Sequence, residues 1–218
     1  MQKSYPDAVL DGYDISPAMY PATTPANITL GVMDMKKPVP DELQGKYDLV
    51  HARMLVVALQ PNEWAGVVQN LTKLLKPGGW IQWVECNFTT ASYIRGADLE
   101  SSRIDTVAMM CLKWLEEMRE RFSCGWNTLP TDMRAAGLDP IETDRVSCDR
   151  LPETRKRTGA NALKVMFAWQ RMLTTKGAPG CMTVDELKQT EKQAQEDIES
   201  GAYLRYDIYV ACGQKPVV

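Results

Sequence analysis

Histidine is nearly missing from this chain. His51 is the only one in 218 residues, so any imidazole base must be His51. Cysteine is present six times, at Cys86, Cys111, Cys124, Cys148, Cys181 and Cys212, without one C-x-x-C pair. That spacing suits neither a zinc site nor a small disulfide scaffold, and it predicts reduced thiols and no bound metal. No G-x-S-x-G elbow occurs, which argues against a Ser-His-Asp triad. No apolar run approaches the ~20 residues of a membrane helix. No signal peptide leads the chain, so no membrane is expected and a cytoplasmic location is. The net charge is only −3, and the Lys and Arg residues are scattered. Nucleic acid is therefore not expected as a main partner. Repeats and low-complexity segments are absent as well.

What is present reads as one globular domain over residues 1–218, with 44% hydrophobic and 24% charged residues. The stretch from Asn62 to Glu85 organises it. Trp64, Val67, Val68, Leu71, Leu74 and Leu75 recur at three- and four-residue steps and share a helix face. Lys76-Pro77-Gly78-Gly79 is a helix stop, and Trp80 to Glu85 is a strand. Upstream, Ala8 to Asp14, Ile28 to Val32 and Tyr47 to His51 read as three further strands. Downstream, Asn87 to Leu99 reads as irregular. Helices are expected over Leu99 to Phe122, Leu129 to Ala136 with Gly137 as its cap, Glu153 to Thr174, and Thr183 to about Glu199. Thr183 and Glu186 fit a capping box. Strands are expected over Pro140 to Ser147 and Leu204 to Cys212. Helices alternating with early strands make an α/β sheet.

Two acids, Asp14 and Asp34, end successive early strands. Ligands of doubly wound sheets bind outside the carboxyl ends of the strands, where an acid can accept from ribose hydroxyls. A second acid one strand over can accept from an adenine amine. The same two residues read equally well as turn-forming carboxylates. His51, at the next strand end, is either a base or a packed residue. Glu85 is a general base or a strand-end acid paired with Arg53 or Arg95. Cys86 is a reactive thiol or inert packing. Met109, Met110 and Trp114 line a pocket or fill a core, and Arg155-Lys156-Arg157 is a solvated helix start.

Taken together, VLDGYDIS, VMDMKKPVP, GKYDLVHARMLVVAL and LLKPGGWIQWVECNF resemble the class I S-adenosylmethionine-dependent methyltransferases. The likeness is to the fungal secondary-metabolism group often called LaeA- or UMTA-like, and it is good over residues 6–88. The resemblance implies a Rossmann-like sheet core at 1–98, 138–150 and 203–213. It also implies a helical cap at 99–137 and 151–200 over a small-molecule substrate. It implies S-adenosylmethionine as cofactor, with Asp14 and Ile15 at the ribose and Met33, Asp34 and Met35 at the adenine. His51 would lie beside the cofactor. Glu85 would join His51 as the catalytic pair, and Cys86, Phe88, Tyr93 and Trp126 would face the substrate.

The chain departs from that family at its start. No GxGxG turn occurs, and Met1 to Asp7 matches only the tail of the family's first helix. The expected fold is thus an N-terminally truncated class I sheet whose central strand is missing. Two facing strand edges would be left open, to pair with each other or to be covered by a homodimer or a partner chain. The missing turn also opens an alternative to methyl transfer. In it the chain has lost the cofactor and serves as a pathway accessory, or catalyses another reaction, such as a cyclisation, in its apolar pocket.

Overall fold

A computed structural model describes residues 5, 7–96 and 100–217. Most of Met1 to Asp7 therefore lies outside the described residues, and so does Leu99. The chain opens with two strands, β1 (Leu10–Asp14) and β2 (Ile28–Val32), which pair in parallel as a separate two-stranded sheet. Tyr20 pins their crossover. Its hydroxyl accepts from the Asp14 amide at 2.8 Å and donates to the Gly31 carbonyl at 2.5 Å.

The next unit is a right-sized parallel crossover. Strand β3 (Tyr47–Arg53) leads through a short turn into α1 (Trp64–Lys73), which returns to β4 (Leu75–Ile94) parallel to β3. A capping box starts the helix region, with the Gln60 amide donating to Glu63 Oε2 at 2.7 Å. The apolar stripe read from the sequence is the buried face: Trp64, Val67, Val68 and Leu71. Each such side chain contributes about 1.5–3 kcal/mol when fully buried. Trp64 packs on Trp83 of β4 with ring centroids 5.6 Å apart. Gly78 takes φ +79° where the chain turns, and a Cβ on Gly79 would stand 3.0 Å from the Tyr47 carbonyl oxygen. The Gly-Gly pair thus lets the chain turn tightly against β3.

The remaining elements are α2 (Asp105–Glu117), α3 (Arg119–Phe122), α4 (Leu129–Ala135), β5 (Ile141–Ser147), α5 (Pro152–Thr175), α6 (Val184–Glu199) and β6 (Tyr203–Gln214). The second sheet has the order β3-β4-β6-β5, with β6 antiparallel to both neighbours. The Thr183–Glu186 capping box is present at α6. Two expectations need correction. The segment after Glu85 is not irregular, because β4 continues to Ile94 and pairs there with Tyr203 to Arg205 across a bulge at 87–92. The long helix expected to end at Phe122 is two helices, α2 and α3, divided at Met118, whose φ of −106° and ψ of 9° leave the helical region. Phe88, Trp114, Phe122 and Tyr206 meet in one aromatic cluster, with Phe88 4.9–5.1 Å from the other three ring centroids. These helices therefore pack on the far half of β4 and β6.

The two sheets are joined by side chains. Lys46 Nζ lies 3.0 Å from Asp11 Oδ2, and the Tyr47 hydroxyl donates to the same oxygen at 2.8 Å. Tyr13 and Tyr47 hydroxyls are 2.9 Å apart. Asn70 of α1 donates to the Met35 and Lys37 carbonyls at 3.0 and 2.9 Å. Lys36 pairs with Glu63 at 2.7 Å.

Candidate functional site

A cleft of about 690 Å³ lies between β1 and β3, floored by Leu71 of α1 and by Leu74 just past its end. Its rim is built by the ends of three strands. Asp14 is the last residue of β1 and is exposed; its Oδ1 accepts the Ser16 amide at 2.9 Å. Asp34 follows β2, half-buried, with Oδ1 accepting the Lys36 amide at 3.0 Å. The Met33 amide donates to the Asp14 carbonyl at 3.0 Å, which sets the two turns side by side. In each acid one oxygen closes its own turn, and Oδ2 takes part in no described hydrogen bond. Turn-forming and ligand-accepting roles thus coexist in the same carboxylate.

His51 is exposed on β3, with Nδ1 3.1 Å from Gln82 Oε1 of β4. Arg53 and Leu55 complete that wall. Between them Met54 holds φ +56°, a left-handed conformation that costs a non-glycine residue about 1–2 kcal/mol. The opposite end is closed by Asp11, Lys46, Tyr13 and Tyr47. The Lys46 hydrogen bond, with that of Tyr47, holds the Asp11 carboxyl below its usual range. Burial, reinforced by the Tyr13 and Asp11 contacts, pushes the Tyr47 phenol well up, so it stays a neutral donor.

The six residues expected at the cofactor, Asp14, Ile15, Met33, Asp34, Met35 and His51, all line this cleft. Those expected at the substrate do not. Glu85 is fully buried. Its carboxylate accepts from the Leu55 amide at 2.9 Å, the Cys86 amide at 3.0 Å and the Trp83 indole at 3.2 Å. No described salt bridge joins it to Arg53, and burial raises its pKa despite those donors. It reaches the cleft only at one remove, through Leu55. Cys86 is buried and its thiol is pushed up to about 12 by burial, so it is not a thiolate at neutral pH. Phe88 sits in the aromatic cluster. Tyr93 is buried, with its hydroxyl 3.4 Å from the Gly159 carbonyl oxygen. Trp126 is half-buried, donates to the Phe122 carbonyl at 3.1 Å and packs on Tyr209. The continuation of β4 carries Cys86, Phe88 and Tyr93 into the core. Sequence reasoning missed Asp11, Tyr13, Lys46 and Tyr47. Their only signal was an acid and a tyrosine within β1 and a Lys-Tyr pair where β3 begins. Among the described residues no group of three His, Cys, Asp or Glu is placed to hold a metal ion, and no helix is long and apolar enough to cross a membrane.

Parallel strands joined by a helical crossover, with acids at adjoining strand ends beside an open cleft, fit the class I methyltransferase fold. A solved nematode structure agrees: Haemonchus contortus phosphoethanolamine N-methyltransferase 2 superposes with a TM-score of 0.51 at 13% identity, covering 99% of this chain and 46% of that one. No family model matches the chain. Among curated relatives, methyltransferase grgD of Penicillium sp is 53% identical over 75 residues, which is 34% of this chain and 26% of that protein. N-methyltransferase sirN of Leptosphaeria maculans is 29% identical over 222 residues, covering 96% of this chain and 74% of that protein. The chain is thus similar to these fungal methyltransferases, and its fold is that of the class I S-adenosylmethionine-dependent methyltransferases.

Proposed function

We propose that this chain carries the adenosine-binding side of a methyltransferase that transfers a methyl group from S-adenosylmethionine to a small molecule in fungal secondary metabolism. The observation that carries this is the pair of unengaged carboxylate oxygens, Asp14 Oδ2 and Asp34 Oδ2, at adjoining strand ends on one cleft. The residues present fit an adenosine. Asp14 accepts from the ribose hydroxyls, Asp34 accepts from the adenine amine, and Ile15, Met33 and Met35 supply apolar contact to the base. When bound, the cofactor supplies a methyl group already activated on a sulfonium. The protein's part is then alignment, which supplies most of the rate in such transfers. His51 removes the acceptor's proton where the acceptor is a hydroxyl or an amine. With Nδ1–H donated to Gln82 Oε1, its Nε2 presents a lone pair. One relative's name specifies an N-methyltransferase, which supports a nitrogen acceptor.

A second reading, a methyltransferase-fold protein that no longer methylates, is favoured by one observation. The only glycine among the described cleft-lining residues is Gly12, within β1. No glycine-rich turn therefore stands where the methionine part of the cofactor would need close backbone approach. Calorimetric titration of the purified 218-residue chain with S-adenosylmethionine separates the two. Micromolar binding that Asp14→Ala abolishes supports the first; absence of heat up to millimolar cofactor defeats it for this chain.

A further inference from the structure

Strand β3 carries a second chemical group beside His51. Side chains two apart on a strand share one face, about 7 Å from each other. Along β3 the exposed face holds His51 and Arg53, and Val50 and Ala52 between them are buried. His51 stands opposite Gln82 of β4 and Arg53 opposite Val84. Two residues further along β4 is Cys86, paired with Ile208 of β6. Burial pushes the Cys86 thiol and the Tyr206 phenol up, and the Arg53 charge opposes that push on both. The guanidinium therefore stands within electrostatic reach of Cys86 and Tyr206, and Tyr206 belongs to the aromatic cluster of Phe88, Trp114 and Phe122. Arg53 lines the cleft, and among the described residues no ion pair or hydrogen bond neutralises its side chain. The neighbouring cations are matched, Lys46 by Asp11 and Lys36 by Glu63. Asp14 and Asp34 line the same cleft from the β1 and β2 ends, each with one oxygen closing its own turn.

We propose that Arg53 selects the acceptor, gripping a carboxylate carried by the same small molecule whose nitrogen or oxygen lies against His51. The planar guanidinium presents a fork of donors that matches the two oxygens of a carboxylate, and such charge-assisted pairs are stronger than neutral ones. One uncommitted positive charge suits one carboxylate. A phosphate would call for a second free cation, and both lysines beside the cleft are already matched. The spacing along β3 sets the acceptor's length: its acid and its nucleophile stand roughly 7 Å apart, the rise of two strand residues. The acceptor class is thus an amino or hydroxy acid with a rigid, ring-sized spacer. This inference rests on the methyltransferase reading for the role of His51 and for nothing else.

His51 is the only histidine of the chain, so its imidazole Cε1–H resonance is a single, assigned reporter beside Arg53. The test titrates the purified chain with 4-aminobenzoate, whose amine and carboxylate sit at opposite ends of one ring, and with its neutral counterpart 4-aminobenzamide. The acid should move the His51 resonance to saturation and bind at least about tenfold tighter than the amide. Arg53→Gln should bind the two alike, and Arg53→Lys should recover part of the preference. Arg53 is exposed, so Arg53→Gln should melt with the parent. The proposal is overturned by equal binding of acid and amide to the parent, by an unmoved His51 resonance at millimolar acid, or by a preference that survives in Arg53→Gln. A parallel calorimetric titration with S-adenosylhomocysteine separates the outcomes. Arg53→Gln should bind it as the parent does; a tenfold loss there would give the guanidinium to the cofactor's own carboxylate and overturn the proposal. A parent that prefers the acid yet shows no heat with S-adenosylhomocysteine would sink the cofactor reading and support the carboxylate site.

Discussion

Replacing Glu85 with alanine tests how the cleft wall is held. The buried carboxylate accepts from two main-chain amides, Leu55 and Cys86, and from the Trp83 indole. A buried donor left without a partner costs about 1–3 kcal/mol. Three such donors, with partial relaxation, place Glu85→Ala at roughly 3–5 kcal/mol of destabilisation, a large share of the ~5–15 kcal/mol that holds a domain. Glu85→Gln keeps one acceptor oxygen and costs about 1–2 kcal/mol at acid pH. The two forms also differ in pH dependence. Burial raises the folded-state pKa of Glu85 above its unfolded value. Its protonated form therefore favours folding below the ordinary glutamate range, and that contribution is lost as pH rises through the folded pKa. The deficit of Glu85→Gln against the parent should shrink as pH is raised from about 4 toward 7. Urea unfolding followed by tryptophan fluorescence at several pH values reads both effects. A Glu85→Ala protein within about 0.5 kcal/mol of the parent, or a Gln deficit that grows with pH, would refute the reasoning.

Other substitutions probe the joints around the site. Tyr47→Phe removes the hydroxyl shared by Asp11 and Tyr13. It should cost about 1 kcal/mol and speed hydrogen exchange in β1 and β2 more than in β4. Met54→Gly relieves the φ of +56° and should stabilise by about 0.5–1 kcal/mol in the same urea assay. Gly125→Ala places a Cβ 2.2 Å from the Trp64 ring at φ +93°. It should lower stability by at least about 2 kcal/mol and broaden the Trp64 indole resonance.

The local grammar of this chain was readable where neighbours in sequence decide the outcome. The stripe from Trp64 to Leu71 is helical because its apolar positions repeat at the helix period, and Ile28–Val32 is the strand expected. The acids at the rim were readable for a related reason: a strand end and a turn are both local, and the strands point their ends one way. What escaped depends on contacts distant in the chain. The polar run Asn87-Phe88-Thr89-Thr90 does not look like strand, yet β4 continues because Ser92 and Tyr93 pair with Arg205 and Leu204. Glu85 looks like a strand-end base. It is a structural acceptor because the segment at Leu55, entered through the left-handed Met54, folds over it. The tyrosine bridge escaped because Tyr13 and Tyr47 belong to different sheets.

The account rests on a ribose held by Asp14. Its most direct test compares S-adenosylhomocysteine with its 2′,3′-dideoxy analogue on the parent chain and on Asp14→Ala. Two hydrogen bonds to a charged acceptor predict that the parent prefers the hydroxylated ligand by at least about tenfold, and that Asp14→Ala binds both alike. The same preference in parent and variant would contradict it.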